Sequence, residues 1–424
     1  MKNIIKIKWI IILSLIFNFT INLKSQINFV YGKQYGSDRE GVAYNPVVDK
    51  NGNVYIAGET LGVLADRSFG KADGFVSKFD SVGNLIWTKQ FGTSEDDKIN
   101  WLAIDKNAIL YAVGYTKGVI KEKNFGNEDI LVVKLDSAGT IEWQNQYGTD
   151  STDIGSQIFA DNNENIYITG TTKGLMGKQS FGKTDCLLLK LDNNGNKIWT
   201  KQFGSTEDDA CIGITKDNAS NIFVCGYSWG DLAMKNKGKM DAFIGKFTDT
   251  GDQLKLFQFG TKEWDMVSSI AIDKEKNIFV GGSTAENFGG KQQGEGDGFL
   301  SKLNENFDLI WTQQFGTNKW DGILGIALNE NISENIVVSG CQNWPACQSF
   351  VRMYTKNGNL LWVNNYTATA KNGGTCGKGV CIDNKGNIYH SGMTGGNLFK
   401  SIIKPEGHDI FLIKLCMDKV QTIY

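Results

Sequence analysis

The sequence predicts an all-β fold, a seven-bladed β-propeller whose blades are four-stranded antiparallel sheets. Three observations lead to this prediction: a repeat of 56 residues, short stretches rich in β-branched and aromatic residues, and a composition with 50 Gly and only 3 Pro. Many short strands joined by Gly-bearing turns are typical of propellers and barrels. Because such architectures exceed 250 residues as one unit, a chain of 424 residues can fold as a single domain.

The repeat is marked most clearly by an aromatic residue followed by Gly. Six copies are spaced 56 residues apart, and Tyr366 follows 51 residues later as the seventh copy: Tyr35-Gly36, Phe91-Gly92, Tyr147-Gly148, Phe203-Gly204, Phe259-Gly260 and Phe315-Gly316. A second marker is an Asp that precedes an apolar stretch, with Gln348 in its place in the sixth copy: Asp73, Asp129, Asp185, Asp241, Asp297 and Asp409. Both markers predict seven structural units.

Each repeat is interpreted as four strands, for example 85–91, 99–104, 110–115 and 130–135. A single four-stranded sheet leaves both faces uncovered, so neighbouring repeats must pack on it, and a ring of blades achieves this. The chain starts with a strand of the first type at 28–35 and ends with one of the fourth type. We therefore predict that the N-terminal strand completes the last blade and closes the ring.

The first 25 residues differ from the rest of the chain. Lys2, Lys6 and Lys8 precede an almost wholly apolar run at 9–19, and Ser25 is a small residue at a plausible cleavage point. This pattern predicts a signal peptide at 1–25 and a propeller at 26–424, secreted, periplasmic or extracellular. The alternative is a transmembrane anchor, although the run is about half of the roughly 20 residues that a span needs.

The composition also limits the partners that we expect. The formal net charge is -2, with acidic and basic residues spread along the chain, so no basic stripe points to nucleic acid. No second apolar segment reaches spanning length, so no membrane span is expected after cleavage. We expect a monomer without cofactor or metal that binds a protein, peptide or glycan.

One repeat resembles a known family closely. Its motifs are the stretch from Asp185 to Leu191, Gly195, the run Trp199-Thr200-Lys201-Gln202-Phe203-Gly204, and Glu207-Asp208-Asp209. They are similar to the SBBP seven-bladed β-propeller repeat, and the resemblance covers residues 28–416. It implies a bacterial envelope or extracellular propeller, in a family that shares a fold more than an activity. The sixth copy departs from the pattern, with Gln348 for Asp and Met353 for the usual Lys.

The strand order sorts the connections onto two faces of the ring. The tight turns share one face, and the longer links, such as 58–73 and 92–99, gather on the other, which we call the long-loop face. Loops on a rigid scaffold commonly carry binding sites, so the long-loop face is the candidate site. A repeated acid lies there, at the start of each inner strand: Asp97, Asp153, Asp209, Asp265 and Asp321. These carboxylates either form a ring around the channel mouth that attracts a cation or a basic group, or accept hydrogen bonds from backbone amides in their own loops.

Two tryptophans and a cysteine pair break the repetition. Trp264 and Trp320 occupy equivalent positions beside two of these acids and could bind a sugar or peptide, or could pack under neighbouring loops. Cys341 and Cys347 bracket the shortened loop of the sixth copy and are predicted to form a disulfide. By contrast, a tryptophan that recurs in the outer strand is expected in the core: Trp87, Trp143, Trp199, Trp311 and Trp362.

Catalysis finds little support in the sequence. His390 and His408 are the only histidines, and no Gly-x-Ser-x-Gly motif is present. We therefore predict a non-catalytic binding scaffold that acts through the long-loop face. Two alternatives stay open: a carboxylate-based glycoside hydrolase or lyase, whose paired acids leave no local motif, and a structural component of the cell envelope.

Overall fold

The computed structural model describes residues 27–121, 123–328, 334–369, 374–399 and 407–417. The predicted signal peptide at 1–25 lies outside these residues. Within them the secondary structure consists of strands arranged in seven sheets, numbered here as blades 1 to 7 in chain order. None of these residues belongs to a helix that is long and apolar enough to cross a membrane.

Each blade is a meander of inner, second, third and outer strands, all antiparallel. The inner strands of blades 1 to 7 are Gly41–Ala43 with Val47–Val48, Asp97–Ile104, Asp153–Ala160, Asp209–Lys216, Asp265–Ile272, Trp320–Leu328 and Thr375–Ile382. The second strands are Val54–Thr60, Leu110–Thr116, Ile166–Thr172, Ile222–Ser228, Ile278–Thr284, Asn335–Trp344 and Ile388–Thr394.

The third and outer strands complete the sheets. The third strands of blades 1 to 7 are Asp73–Phe79, Asp129–Leu135, Asp185–Leu191, Asp241–Phe247, Asp297–Leu303, Gln348–Thr355 and Asp409–Met417. The outer strands of blades 1 to 6 are Leu85–Phe91, Ile141–Tyr147, Lys197–Phe203, Gln253–Phe259, Leu309–Phe315 and Leu360–Tyr366. The outer strand of blade 7 is the first strand of the chain, Ile27–Tyr35, which pairs antiparallel with Asp409–Met417. The predicted fold, blade number and ring closure are confirmed.

A backbone hydrogen bond is repeated at every junction between blades. The N–H at the start of each inner strand donates to the carbonyl just before the third strand of the preceding blade, as from Asp97 to Ala72 at 2.8 Å. Gly41 donates to His408 in the same way at 2.8 Å and so links blade 1 to blade 7. The ring is therefore continuous through seven equivalent contacts.

The core lies between neighbouring blades. In blade 3 every residue of the third strand is buried, because the sheet is covered on both faces. The outer-strand tryptophans, expected in the core, are only partly buried and lie at the junctions between blades. The indole N–H of Trp143 donates to the Asn193 carbonyl of the next blade at 3.0 Å, and Trp199 and Trp311 make the equivalent bond.

A candidate ligand-binding cleft

A cleft of about 450 Å³ opens where blades 4 to 7 meet. Aromatic and aliphatic side chains form most of its wall. The wall includes Trp264, Trp320, Trp344, Met240, Met266 and Lys378. Trp264 immediately precedes the inner strand of blade 5, Trp320 begins that of blade 6, and Trp344 ends the second strand of blade 6. The cleft therefore lies on the long-loop face.

Trp264 and Trp320 come together as neighbours across one blade junction. Their ring centroids are 6.2 Å apart with an interplanar angle of 57°. Trp264 is 42% exposed, and the Lys239 ammonium lies 5.5 Å from its ring centroid. Lys239 is in turn paired with Glu263 at 2.7 Å. The rings therefore form an accessible apolar wall.

Space for Trp320 comes from a glycine in the preceding blade. A Cβ added at Gly296 would lie 2.3 Å from Cε3 of Trp320, so only the absence of a side chain admits the ring. The equivalent of Gly296 in blade 4 is Met240, which lines the cleft beside Trp264. The residue at this repeat position, Gly in blade 5 and Met in blade 4, therefore determines the shape of the cleft wall.

Trp344 is a cleft residue that the sequence analysis missed. It is 53% exposed and belongs to the loop 341–347, whose ends are joined by a disulfide between Cys341 and Cys347 with a Cα–Cα distance of 5.8 Å. The Asn343 N–H donates to Oδ1 of Asp321 at 3.0 Å and anchors the loop to blade 6. The sequence feature that could have identified Trp344 is a tryptophan inside a short loop bounded by two cysteines.

The five repeated aspartates do not line the cleft. All are buried, and each accepts hydrogen bonds from the N–H and hydroxyl of a Thr or Ser four residues earlier, as Asp153 does from Thr149 at 2.6 and 2.7 Å. Burial raises the pKa of four of them, Asp97, Asp209, Asp265 and Asp321, although their hydrogen bonds oppose this shift. This geometry favours the role of holding a loop over that of binding a ligand.

The cleft continues into the centre of the ring. Met266, Ser268, Leu324 and Lys378 line both the cleft and a second cavity of about 270 Å³ formed by inner strands. Lys378 is the one charged side chain among the described residues that line either space. A ligand would meet aromatic walls first and a single positive charge deeper inside.

Comparison with known families agrees with the fold. Residues 198–233, which run from the outer strand of blade 3 into blade 4, match the family model SBBP, described as a β-propeller repeat. The protein is a seven-bladed β-propeller that contains a match to this repeat. This propeller is also 23% identical over 334 residues to the regulatory protein FlaEY of Caulobacter vibrioides. The match covers 68% of this chain and 35% of FlaEY, so the chain spans about a third of that relative.

Solved structures share the architecture at low sequence identity. One is a PL25 polysaccharide lyase, an ulvan lyase bound to -[GlcA(1-4)Rha3S]-, with a TM-score of 0.54 and 13% identity, covering 89% of this chain and 95% of the lyase. Another is the Pan2 WD40 domain of Neurospora crassa, with a TM-score of 0.51 and 10% identity, covering 90% and 91%. These likenesses concern the fold alone.

Proposed function

We propose that this propeller is an exported, non-catalytic scaffold whose cleft binds a peptide segment of a partner protein. The observation that carries the proposal is the group of three tryptophans around a space of about 450 Å³, two of them more than 40% exposed. Exposed aromatic side chains around a concave surface are typical of the anchor points of binding sites.

The lining favours a peptide over a glycan. Met240, Met266, Ile323 and Leu324 contribute apolar surface, whereas a sugar needs several fixed hydrogen-bond partners for its hydroxyl groups. Methionine side chains adapt to ligands of different shape, as suits apolar peptide side chains. Lys378, deeper in the cleft, complements a carboxylate, either an acidic side chain or a chain terminus.

Two further points support binding rather than catalysis. Among the described residues that line the cleft, none is acidic and none is His, so the paired acids of a hydrolase or lyase would have to lie elsewhere. The name of the FlaEY relative, a regulatory protein, is also compatible with a binding role. The lyase shares only the fold, and fold does not determine activity.

The test is a selection from a random peptide display library against the mature protein, followed by affinity measurements on variants. Trp264→Ala and Trp320→Ala should each weaken the selected peptides by about 30-fold, since aromatic anchors contribute about 2 kcal/mol or more. Trp229→Ala is the matched control, because Trp229 is also 42% exposed and does not line the cleft. If the selected peptides bind all three variants with equal affinity, the cleft is not their binding site.

A parallel glycan array separates the ligand classes. Glycan binding that depends on Trp264 and Trp320, without any selected peptide, would replace the peptide proposal. Cleavage of a bound glycan would instead favour the lyase alternative. Export is tested by sequencing the N-terminus of the protein secreted from a bacterial host, which should begin near residue 26.

A further inference from the structure

Three cysteine sulfurs meet at the junction of blades 6 and 7. The Sγ atoms of Cys341, Cys347 and Cys376 all lie within 4.8 Å of one another, and Cys341 and Cys347 form the disulfide. Cys376, in the inner strand of blade 7, is a free and buried thiol. Cys341 and Cys376 both border the cleft.

The repeat explains why these positions touch. Cys341 follows Gly340 in the second strand of blade 6, as Glu59 follows Gly58 in blade 1. Cys376 is the second residue of the next inner strand, as Lys98 is in blade 2, so Glu59 and Lys98 are the counterparts of the two cysteines. Those two form an ion pair at 2.7 Å. The Thr375 N–H also donates to the Cys347 carbonyl at 2.7 Å, which fixes the third cysteine beside the first two. The cluster therefore occupies a position at which side chains also meet across the junction of blades 1 and 2.

The chemistry of this cluster is that of a soft metal site. Thiolate sulfurs select thiophilic ions such as Cu(I), and thioether sulfurs of Met240 and Met266 line the same cleft. With metal–sulfur distances of about 2.3 Å, three sulfur atoms around one ion lie about 4 Å apart. Cys376 Sγ already lies within 4.8 Å of both other sulfurs, so only the Cys341 and Cys347 sulfurs must separate once their bond is reduced. Lys378 places its ammonium against the Cys376 sulfur, where it offsets the charge of thiolate ligands.

We infer that the reduced cluster of Cys341, Cys347 and Cys376 is a three-sulfur binding site for Cu(I). The disulfide first takes up two electrons and two protons from a dithiol or phosphine reductant and becomes two thiols. One Cu(I) then binds the three sulfurs, and the protons of the coordinating thiols pass to the solvent. The inference does not depend on the peptide proposed for the cleft.

The experiment uses the full mature protein, reduced with a phosphine under anaerobic conditions and freed of excess reductant. Cu(I) is added as its acetonitrile complex in the presence of the chelator bicinchoninate, and bound copper is measured by mass spectrometry. The wild-type protein should retain one Cu(I) per chain and show thiolate-to-copper absorption in the ultraviolet. Cys376→Ala should lose both signals.

Cys381→Ala is the matched control, because Cys381 lies in the same inner strand as Cys376 but outside the cluster. It should bind copper like the wild type. Equal copper binding by Cys376→Ala and the wild type would overturn the inference, and so would a wild-type protein that gives up all copper to the chelator. Near-ultraviolet circular dichroism follows the fold, and its loss on reduction would equally overturn the inference, since the site requires a folded junction.

Discussion

Nε2 of Gln34, in the first strand, donates a hydrogen bond of 2.7 Å to Oδ2 of Asp409 in the last strand. Oε1 of the same Gln34 accepts from the N–H groups of Leu398 and Phe399, so one side chain joins both chain ends and a long loop. The same Gln–Asp bond recurs within blades 1 to 5: Gln90–Asp73, Gln146–Asp129, Gln202–Asp185, Gln258–Asp241 and Gln314–Asp297.

Deleting residues 27–36 should lower the melting temperature by about 10 °C or more, because the third strand of blade 7 loses its hydrogen-bonded neighbour and the ring gains an open edge. The milder change Gln34→Leu keeps the strand but leaves Asp409 without this donor, which costs about 1–3 kcal/mol. Gln90→Leu is the matched control within one blade and should cost a similar amount. An unchanged melting curve for the deletion variant would contradict closure by this strand.

Substituting Ala for glycines in the turns tests how closely neighbouring blades pack. Gly139 has a φ of 87°, and a Cβ there would lie 3.0 Å from Cδ2 of Trp87 in the preceding blade. Gly52 has a nearly equal φ of 84°, but its nearest atom would be Cβ of Ser81 at 3.4 Å. Each Ala variant should lose about 1 kcal/mol of stability, because Ala is strained in the left-handed backbone conformation. Gly139→Ala should lose more, because its Cβ also displaces the indole of Trp87. Chemical denaturation should therefore show Gly139→Ala as the less stable variant; the reverse order would argue against this packing.

The sequence predicts the ring well because its determinants are periodic. Markers such as Phe91-Gly92 and Asp73 recur at a fixed spacing, so the number of blades and the strand order follow from counting. The closing strand was predictable for the same reason, since the two chain ends carry complementary parts of one repeat. Periodicity says nothing, however, about which way a particular side chain faces.

The candidate site depends on departures from the repeat, and these were only partly predictable. Trp264 and Trp320 stood out because no other copy has an aromatic residue there. Trp344 did not, since its place in the cleft depends on the path of the loop 341–347. The approach of Cys376 to that loop is a contact between two blades, which becomes visible only when the ring is assembled. Likewise, the spacing of the aspartates was clear, but their burial follows from the loop that folds over each of them.

His390 should make the protein less stable in acid. It is buried between blades 6 and 7, where Nδ1 donates to the Gly379 carbonyl at 2.9 Å and Nε2 accepts from the Ser349 hydroxyl at 2.7 Å. Burial lowers its pKa to about 4, despite the opposing effect of the bond to Gly379. Between pH 6.5 and 4 the unfolded chain therefore binds more protons, so stability falls as the pH falls, by up to about 3 kcal/mol.

Urea denaturation at pH 7 and pH 4.5 checks this prediction. His390→Gln should lose part of the pH dependence of the wild type. His408→Gln should keep it, because His408 is 36% exposed at its side chain and lies on the surface. The buried aspartates with raised pKa values act in the opposite direction, gaining stability on acidification, and they are present in all three proteins. The same pH dependence in His390→Gln and the wild type would exclude His390 as its source.

A buried ion pair joins blades 3 and 4. Nζ of Lys216 lies 2.7 Å from Oδ2 of Asp161 and 2.8 Å from Oδ1 of Asp249, and the side chains of Lys216 and Asp161 are each 8% exposed. Burial alone would raise the pKa of Asp161, but hydrogen bonds, first that from Lys216, lower it below its usual value. This contribution to stability is present at neutral pH and is lost as the pH falls through that lowered pKa.

Lys216→Met should destabilise the protein by about 3–5 kcal/mol, because it leaves a buried carboxylate without its cation. Adding Asp161→Asn should recover part of the loss. Lys71→Met is the control: its pair with Glu95, at 2.6 Å, has side chains that are 64% and 43% exposed, so solvent screens it and the melting temperature should change little. Equal effects of the two lysine changes would mean that burial does not distinguish these pairs.

Gly296 offers a way to alter the cleft without touching its tryptophans. In Gly296→Ala the new Cβ would lie 2.3 Å from Cε3 of Trp320, so the indole must move. Gly322→Ala adds the same methyl group inside the cleft wall, yet its nearest atom is 3.6 Å away in Ser283, an ordinary contact. We expect tryptophan fluorescence to shift and affinity for selected peptides to fall about 10-fold in Gly296→Ala, the loss that follows from about 1.4 kcal/mol. Gly322→Ala should stay within about threefold of the wild type. If both variants bind alike while their melting temperatures match, the position of Trp320 does not control binding, and the peptide must engage another part of the long-loop face.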